Sequence, residues 1–537
     1  MFSKIRDLSR NVTVYGLGDV VVSIVNFFLL GLYVKYLDPA DYGVIGLLGS
    51  IEVIAKIVFR FGLDGSFMRL FYESDRPEDR QRLASTIFFF LLILNGAILT
   101  VLLVAAPAIA AALLDRVDQT PALRLMLINT FAIGFTFIPF HVLRIEQRTV
   151  TFSLLTLARA VFTTIVRLLL VVQLDMGVTG LYLGDVIVTA GVMAALARWF
   201  VPLIRPMFSL EVLREALRFG LPRLPHATAQ QVIAVGDRQV LKALRVPMDN
   251  IGIYSMAVSF GLVQKLFLSA FESAWAPFYY ATVREADAPR TFRVITTYGV
   301  AVLALLTAGL SAVGRDAAAA MLHGRLLAPD DPRWRDVATV IAWTSIGVFL
   351  QGIYLLTSIG LNITKRTQYY PVATIAAAAT NIGLNLLLIP RFGIVGAAWA
   401  NGAAYAVQAA LGLRLSQRFY PIAYEWGRIA RACSSAAVAC LAARMLPAVR
   451  LPVDPRSVMA HLPDVFTRGA TVVVVFAALL AVTGFFHPEE LARLALLRRR
   501  LGVAPAGATR AADSVEMAGE IVATDMEVPQ EPPPARR

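Results

Sequence analysis

Five stretches of this sequence run for more than twenty residues without a charged side chain: Leu83 to Leu114, Val294 to Gly314, Val337 to Thr364, Thr367 to Pro390 and Phe392 to Leu413. About 20 residues of helix cross the hydrocarbon core of a bilayer. A helix in a water-soluble core keeps a polar face and has no use for runs of this length. Charged residues make up 16% of the 537 residues and hydrophobic ones 57%, where a soluble domain carries about 25% charged. The fold class expected is an all-α polytopic membrane protein.

Fourteen spans are expected, near residues 11–34, 42–63, 83–107, 123–143, 151–173, 177–199, 221–244, 251–273, 293–314, 337–361, 369–389, 393–415, 429–447 and 466–486. The seventh is the least apolar, since it holds His226, Gln230, Gln231, Asp237 and Arg238. Ser209–Phe219 is amphipathic, with Leu210, Leu213 and Leu217 opposite Glu211, Arg214, Glu215 and Arg218. It reads as a surface helix, as does Pro488–Arg500, which ends in three arginines suited to anionic headgroups. Leu501–Arg537 is rich in Ala, Pro and acids and reads as a disordered tail. The basic start, Met1–Asn11, is followed by a full-length apolar segment with no cleavage pattern, so no secretory signal is expected.

Lys and Arg are concentrated on one side of these spans, as at Arg69, Arg76, Arg80, Arg82, Arg144, Arg148, Arg214, Arg218, Lys365 and Arg366. The other side has Lys35, Arg116, Arg245, Arg391 and two modest clusters, Arg315–Arg335 and Arg444–Arg456. By the positive-inside rule both termini are cytoplasmic. The net charge of +13 is then a topology and lipid-surface signal. It is no nucleic-acid footprint, because no basic stretch is interleaved with exposed aromatics.

Two short patterns recur. Pro39-Ala40-Asp41-Tyr42-Gly43 after the first span has its counterpart in Pro247-Met248-Asp249-Asn250-Ile251-Gly252 after the seventh. Met176-Gly177-Val178-Thr179-Gly180 before the sixth matches Phe392-Gly393-Ile394-Val395-Gly396 before the twelfth. Each pattern falls at the same place in a six-helix half, which implies a duplication. Six is even, so the halves are parallel in the membrane, and paired halves around a cavity are a transporter architecture. The domains follow: an N-lobe at 1–208, an amphipathic linker at 209–220, a C-lobe at 221–416, two further helices at 417–487, and the basic segment and tail at 488–537.

Charges inside the spans select the candidate site. Glu52, Lys56 and Arg60 recur every four residues on one helical face, and Asp19, Arg159, Arg167, Asp185, Asp237, Arg238, Lys265 and Glu272 also fall within spans. Each Lys, Arg or Asp at mid-membrane costs about 2.5–3.5 kcal/mol, so such residues face one another or water. Arg60, Lys242 and Glu272 are close enough to span ends to snorkel. Arg167 and Asp185 lie at similar depth on consecutive spans and suit an ion pair. Lys56, Arg159, Arg238 and Lys265 are deeper and come from both halves, which predicts a cationic cavity for an anionic, phosphate-bearing substrate. Asp19, Glu52, Asp185 and Asp237 are candidates for ion coupling or for pairing these cations, with Asp19 at the depth of Lys56. Cys433 and Cys440 lie two helical turns apart on one segment, too far for a disulfide, and the single histidines form no metal motif. No nucleophile, metal or cofactor site is expected.

Tyr36-Leu37-Asp38-Pro39-Ala40-Asp41-Tyr42-Gly43 resembles the signature after the first helix of polysaccharide transporters, the Wzx-type O-antigen and exopolysaccharide flippases of the multidrug/oligosaccharidyl-lipid/polysaccharide (MOP) exporter superfamily. Phe61-Gly62-Leu63-Asp64-Gly65 through Leu70 is similar to their close of helix 2, and Ile251-Gly252-Ile253-Tyr254-Ser255 to their entry to helix 8. The longest likeness is Asn381-Ile382-Gly383-Leu384-Asn385, Leu388 to Ile394 and Gly396-Ala397-Ala398-Trp399-Ala400. This resemblance implies two pseudo-symmetric MATE-like lobes plus two C-terminal helices in a bacterial inner membrane. It implies a non-enzymatic flippase for undecaprenyl-pyrophosphate-linked oligosaccharide, working by alternating access beside membrane lipids, a polysaccharide polymerase and chain-length machinery. The lipid II flippases of the superfamily share the count of fourteen but have an arginine-rich first helix, which this chain lacks. A drug antiporter and, further off, a membrane polymerase or ligase are the competing readings.

Reporter fusions at Arg76, Arg214, Glu285, Gln417 and the C-terminus are expected on the cytoplasmic side, and fusions at Asp118, Asp330 and Pro455 outside. A C-terminus found outside would require an odd number of spans.

Overall fold

A computed structural model describes residues 32–487, apart from 74–75, 147, 286, 323–326, 329–330, 450–451, 453 and 455–456. The first expected span up to residue 31, with Asp19, and the segment and tail from Pro488 lie outside the described residues. The first half contains α1 (Pro39–Val58), α2 (Leu63–Glu73), α3 (Pro77–Leu114), α4 (Thr120–Ile145), α5 (Thr149–Leu168) and α6 (Gly177–Phe200). The amphipathic linker is α7 (Leu210–Gly220). The second half contains α8 (Leu224–Val235), α9 (Asp237–Ala243), α10 (Met248–Gly261), α11 (Val263–Thr282), α12 (Ala288–Leu322), α13 (Trp334–Thr357), α14 (Ile359–Ile363) and α15 (Tyr370–Phe419). Two more helices follow, α16 (Trp426–Met445) and α17 (Val458–Val482).

All regular structure among the described residues is helical. Eight of these helices are long and apolar enough to cross a membrane, or nine if the bent pair α10–α11 is one span. The chain is a multi-pass membrane protein. Several expected spans differ in outline. The span expected at 83–107 is the 38-residue α3, because the charged turn Glu78–Arg82 continues the helix from Pro77 beyond the apolar core. Three spans expected to be continuous are broken. The helix at 42–63 is interrupted where Phe61 and Gly62 take φ of 48° and 68°. The seventh breaks at Gly236, and the eighth bends by 46° after Gly261.

The stretch Tyr370–Phe419 folds back on itself at Gly393. A Cβ on Gly396 would lie 2.6 Å from the Leu388 carbonyl oxygen, whereas eight residues of straight helix span about 12 Å. The first half repeats this turn. Gly177 and Gly393 both have φ of 54°, a conformation that favours glycine. A Cβ on Gly180 would lie 3.3 Å from the backbone of Leu170.

The halves meet where α1 crosses α10. A Cβ on Gly43 would lie 2.4 Å from the Met248 carbonyl oxygen, and one on Gly252 would lie 1.9 Å from that of Pro39. Between them, Gly46 faces the Ser255 hydroxyl. Residue 39 corresponds to 248, 43 to 252 and 46 to 255, a constant interval of 209, so the contact is reciprocal about a pseudo-two-fold axis. Small residues let the two backbones approach this closely, as at other packed membrane helices. Asp41, whose carboxylate accepts the Asp38 N–H, also pairs with Arg116 at 2.9 Å and ties α3 to the same end.

One apolar cluster surrounds the crossing and draws on both halves, including Leu47, Leu48, Met126 and Val178 with Ile251, Tyr254, Val340 and Ile394. At the opposite end, which carries Arg69, the clusters are separate. One holds Leu63, Phe67, Ile87, Phe137 and Ala216, and another Trp275, Tyr279, Phe292, Leu356 and Tyr424. The halves therefore share one core at the Pro39 end and have separate cores towards the Arg69 end. The linker α7 docks on the first half, with Leu213 and Ala216 buried and the Ser66 hydroxyl donating to the Ala216 carbonyl at 2.7 Å. Leu210 stays exposed. In α17, Arg468 pairs with Asp316 of α12 at 2.6 Å.

Residues through Ala477 form one compact unit and those from Ala478 a second. In the second, Phe485 and Phe486 pack edge to face, with centroids 5.2 Å apart.

Gly252→Ala is expected to destabilise the protein by about 1–3 kcal/mol through overpacking at the crossing, read as a lower melting temperature in detergent. Gly96→Ala and Gly49→Ala, where no atom lies within 4 Å of an added Cβ, test the same change without the clash. Equal melting temperatures for all three variants would refute a tight crossing.

Candidate functional site

The first half holds a polar cavity of about 340 Å³ between α1, α4, α5 and α6. Its charges come from helical spacing. Glu52 and Lys56 are one turn apart on α1 and pair at 2.7 Å. Arg167 on α5 grips Asp185 on α6 through two hydrogen bonds of 2.7 Å each, a bidentate geometry that fixes both side chains. Gly184 leaves room for it, since an added Cβ would lie 3.1 Å from the Arg167 side chain. Arg159, two turns before Arg167, feels the charges of Asp185 and Glu52, each already engaged by another cation. The Thr189 hydroxyl donates to Asn129 at 2.7 Å in the same cavity.

Arg159 also lines a second cavity of about 450 Å³ that contains Arg60, Asp64, His141 and Arg144. Arg60 pairs with Asp64 at 3.2 Å, and the Arg144 guanidinium lies 4.6 Å from the centre of the Phe152 ring. Lys56, Arg167, Arg159, Arg60 and Arg144 thus line two adjoining cavities leading towards the Arg69 end.

The other expected cavity residues lie elsewhere. Asp237 and Arg238 are 1% and 8% exposed and pair with each other at 3.2 Å. Arg238 donates to the Ser255 hydroxyl at 3.3 Å, and Tyr254 donates to the Asp237 carboxylate. They belong to the sealed crossing and line neither first-half cavity. Lys265 lies on α11, half-buried, and feels Glu272 two turns further along. It is 209 residues from Lys56, the interval of the crossing. The structure brings Lys56, Arg159, Glu52 and Asp185 together and leaves Arg238, Asp237 and Lys265 apart from them, while Asp19 is outside the described residues.

Sequence reasoning missed a third cavity, of about 420 Å³, in the second half. Gln230, Trp275, Tyr279, Tyr354, Asn362 and Tyr370 line it. The Asn362 amide donates to the Tyr279 hydroxyl at 3.0 Å, and the Tyr370 hydroxyl to the Ser358 carbonyl at 3.2 Å. The low hydropathy of the seventh span was its one signal, since aromatic residues do not stand out in an apolar helix. An apolar groove of about 480 Å³ runs between α12, α13 and α16, lined by Trp343, Phe349, Cys433, Cys440 and Leu441. Among the described residues no cluster of three His, Cys, Asp or Glu could hold a metal ion.

This arrangement is similar to several solved structures. The lipid II flippase MurJ in its inward closed conformation superposes with a TM-score of 0.64, over 88% of this chain and 99% of that one, at 14% identity. An inward-facing multidrug resistance MATE family transporter of the MOP superfamily gives 0.60 over 78% and 99%, at 15% identity. MATE in the straight conformation gives 0.51 over 80% and 96%, at 16%. The fold is that of the MOP superfamily. No curated protein matches the sequence. Residues 34–315, more than half of the chain, match the family model described as "Polysaccharide biosynthesis protein". The chain belongs to the polysaccharide biosynthesis protein family.

Proposed function

We propose that this protein is a flippase that carries a polyprenyl-pyrophosphate-linked oligosaccharide across the bacterial inner membrane for surface polysaccharide assembly. The observation that supports it is the set of cations, Lys56, Arg159, Arg167, Arg60 and Arg144, in adjoining first-half cavities. The polyprenyl chain stays in the bilayer, so only the sugar-pyrophosphate head must cross about 30 Å of hydrocarbon. That head bears negative charge, which is costly to bury unless paired. Guanidinium and ammonium groups in a low-dielectric cleft offset that cost with charge-assisted hydrogen bonds.

In this reading there are fourteen spans, with two six-helix lobes at 1–208 and 221–416 and both termini in the cytoplasm. The Pro39 end then faces outside and is sealed, while the Arg69 end faces the cytoplasm and receives the head group. Alternating access requires the α1–α10 crossing to part when the outer side opens. Lys265 stands opposite Lys56 by the duplication and adds the second lobe's cation to the path. The apolar groove beside α16 offers the lipid tail a lateral position. Asp237 and Arg238 serve the seal. The translocated units would pass to a polymerase and its chain-length partners.

A second reading, transport of lipid II, is favoured by the fold likeness that spans 99% of MurJ. Its cargo belongs to the same chemical class. A drug antiporter draws support from the MATE likeness and from Glu272 beside the aromatic cavity.

Deleting the gene is expected to stop surface polysaccharide assembly and leave lipid-linked repeat units, unchanged in composition, on the cytoplasmic leaflet. Loss of lipid II translocation instead would favour the second reading, and altered drug sensitivity alone the third. Units reaching the outer leaflet at the normal rate would refute the proposal.

Arg159→Ala, and Lys56→Ala combined with Glu52→Gln so that no acid is left unpaired, are expected to cut export about tenfold or more. That is the scale of one lost hydrogen bond to a charged group, about 1.5–3 kcal/mol. Arg238→Ala is expected to reduce folded protein, because it leaves Asp237 buried without its cation. Export and membrane abundance, measured together, separate these effects. Wild-type export from the first two variants would remove these cations from the substrate path.

A further inference from the structure

The second-half cavity has a chemistry unlike that of the first. Among the described residues no Lys or Arg lines it. Its walls are aromatic faces, and its polar groups are amides, hydroxyls, the His226 imidazole and the Glu272 carboxylate. At about 420 Å³ it falls within the range of small-molecule sites, about 300–1,000 Å³.

Its principal wall comes from one face of α11. Leu268, Glu272, Trp275 and Tyr279 all line the cavity and recur at spacings of three and four, which align on a helix. Lys265 continues the same stripe. From Lys265 to Tyr279 the helix rises about 21 Å, enough to follow an extended ligand.

The polar groups show what the ligand must offer. Trp275 is 3% exposed, and its indole N–H is buried with no hydrogen-bond partner among the described residues. An indole N–H only donates, so a ligand that reaches it must supply an acceptor. The Gln230 carbonyl accepts from Gln408 at 2.8 Å, which leaves the Gln230 amide hydrogens to donate as well. The Asn362 amide gives one hydrogen to Tyr279, which leaves its second hydrogen to donate and its carbonyl to accept. Glu272 accepts only. A ligand for this rim must both accept and donate, and must present apolar faces to rings. An inorganic anion has no donors and would meet Glu272. A quaternary ammonium cation has no acceptor for Trp275. Sugar rings meet each demand, since every hydroxyl donates and accepts, and the C–H face of a pyranose carries the partial positive charge that the face of an aromatic ring attracts.

We propose that this cavity is a glycan subsite, binding uncharged sugar residues of the cargo through Trp275, Tyr279, Gln230 and Asn362 while first-half cations hold the pyrophosphate. The inference rests on the flippase reading and deepens it by dividing the head group between the two halves.

The test uses full-length protein in nanodiscs. The probes are inorganic pyrophosphate, and the repeat-unit oligosaccharide released from the lipid of the deletion strain and freed of phosphate. Trp275→Ala is expected to weaken oligosaccharide binding at least tenfold and leave pyrophosphate binding unchanged. Trp275→Phe, which keeps a ring and loses the N–H, should lose several-fold. The Lys56→Ala, Glu52→Gln variant should show the reverse pattern, and melting temperatures identify any variant that has not folded. Oligosaccharide binding that survives in both Trp275 variants and in Gln230→Ala would overturn the subsite. So would an aromatic cation, ethidium, that binds in place of the sugar and is lost with Trp275. If the subsite fails in this way while the deletion strain still retains lipid-linked units on the inner leaflet, the flippase reading stands without it. If the deletion strain exports normally, that reading falls first.

Discussion

The crossing of α1 and α10 is the contact on which the described architecture depends. Two helix N-termini, each begun near a proline, lie against each other so closely that each glycine is covered by the other helix's first carbonyl. Only hydrogen at Gly43 and Gly252 permits this. The reciprocity follows from the duplication, because a residue and its counterpart 209 positions away meet across the axis. The surrounding apolar cluster is shared by both halves, and the Asp237–Arg238 pair with Tyr254 and Ser255 closes the polar groups of the same end. At the other end the two halves diverge into separate cores.

That divergence gives the intramembrane charges their setting. A lone cation in hydrocarbon is expensive, yet the first half concentrates several. Glu52 and Asp185 each engage one basic side chain on the cavity wall, at 2.7 Å, so part of the cost is offset locally and the side chains are held in place. Arg159 stands between these pairs and carries the excess positive charge. The second half solves a different problem. Its cavity carries hydrogen-bonding groups without net positive charge, and aromatic rings replace the guanidinium groups. The two cavities thus have different kinds of wall.

Much of the scaffold was legible in the residues. Long uncharged runs marked the chain as a multi-pass helical membrane protein, and two of the paired glycine motifs share a φ of 54°, at Gly177 and Gly393. Arg167 and Asp185 were suited to an ion pair from depth alone. Helix breaks were less legible. Hydropathy averages over a turn or more, so it does not register Gly62, Gly236 or the bend after Gly261. Depth was also a poor guide to which way a charge points. Arg238 and Lys56 are similarly embedded by sequence, but one turns into the seal and the other into a cavity.

By itself, the sequence determined that this chain crosses a membrane many times as helices. That property depends on local composition along the chain. Only the tertiary structure decided which charges meet, because a cavity is made by faces of helices distant in sequence, and rotating one helix by half a turn exchanges a cavity residue for a packed one. Asn129 met Thr189, and Gln230 met Gln408, across 60 and 178 residues. The tertiary structure alone placed the aromatic cavity, since Trp275 and Tyr370 look like any other apolar residues until five helices bring them around a common space.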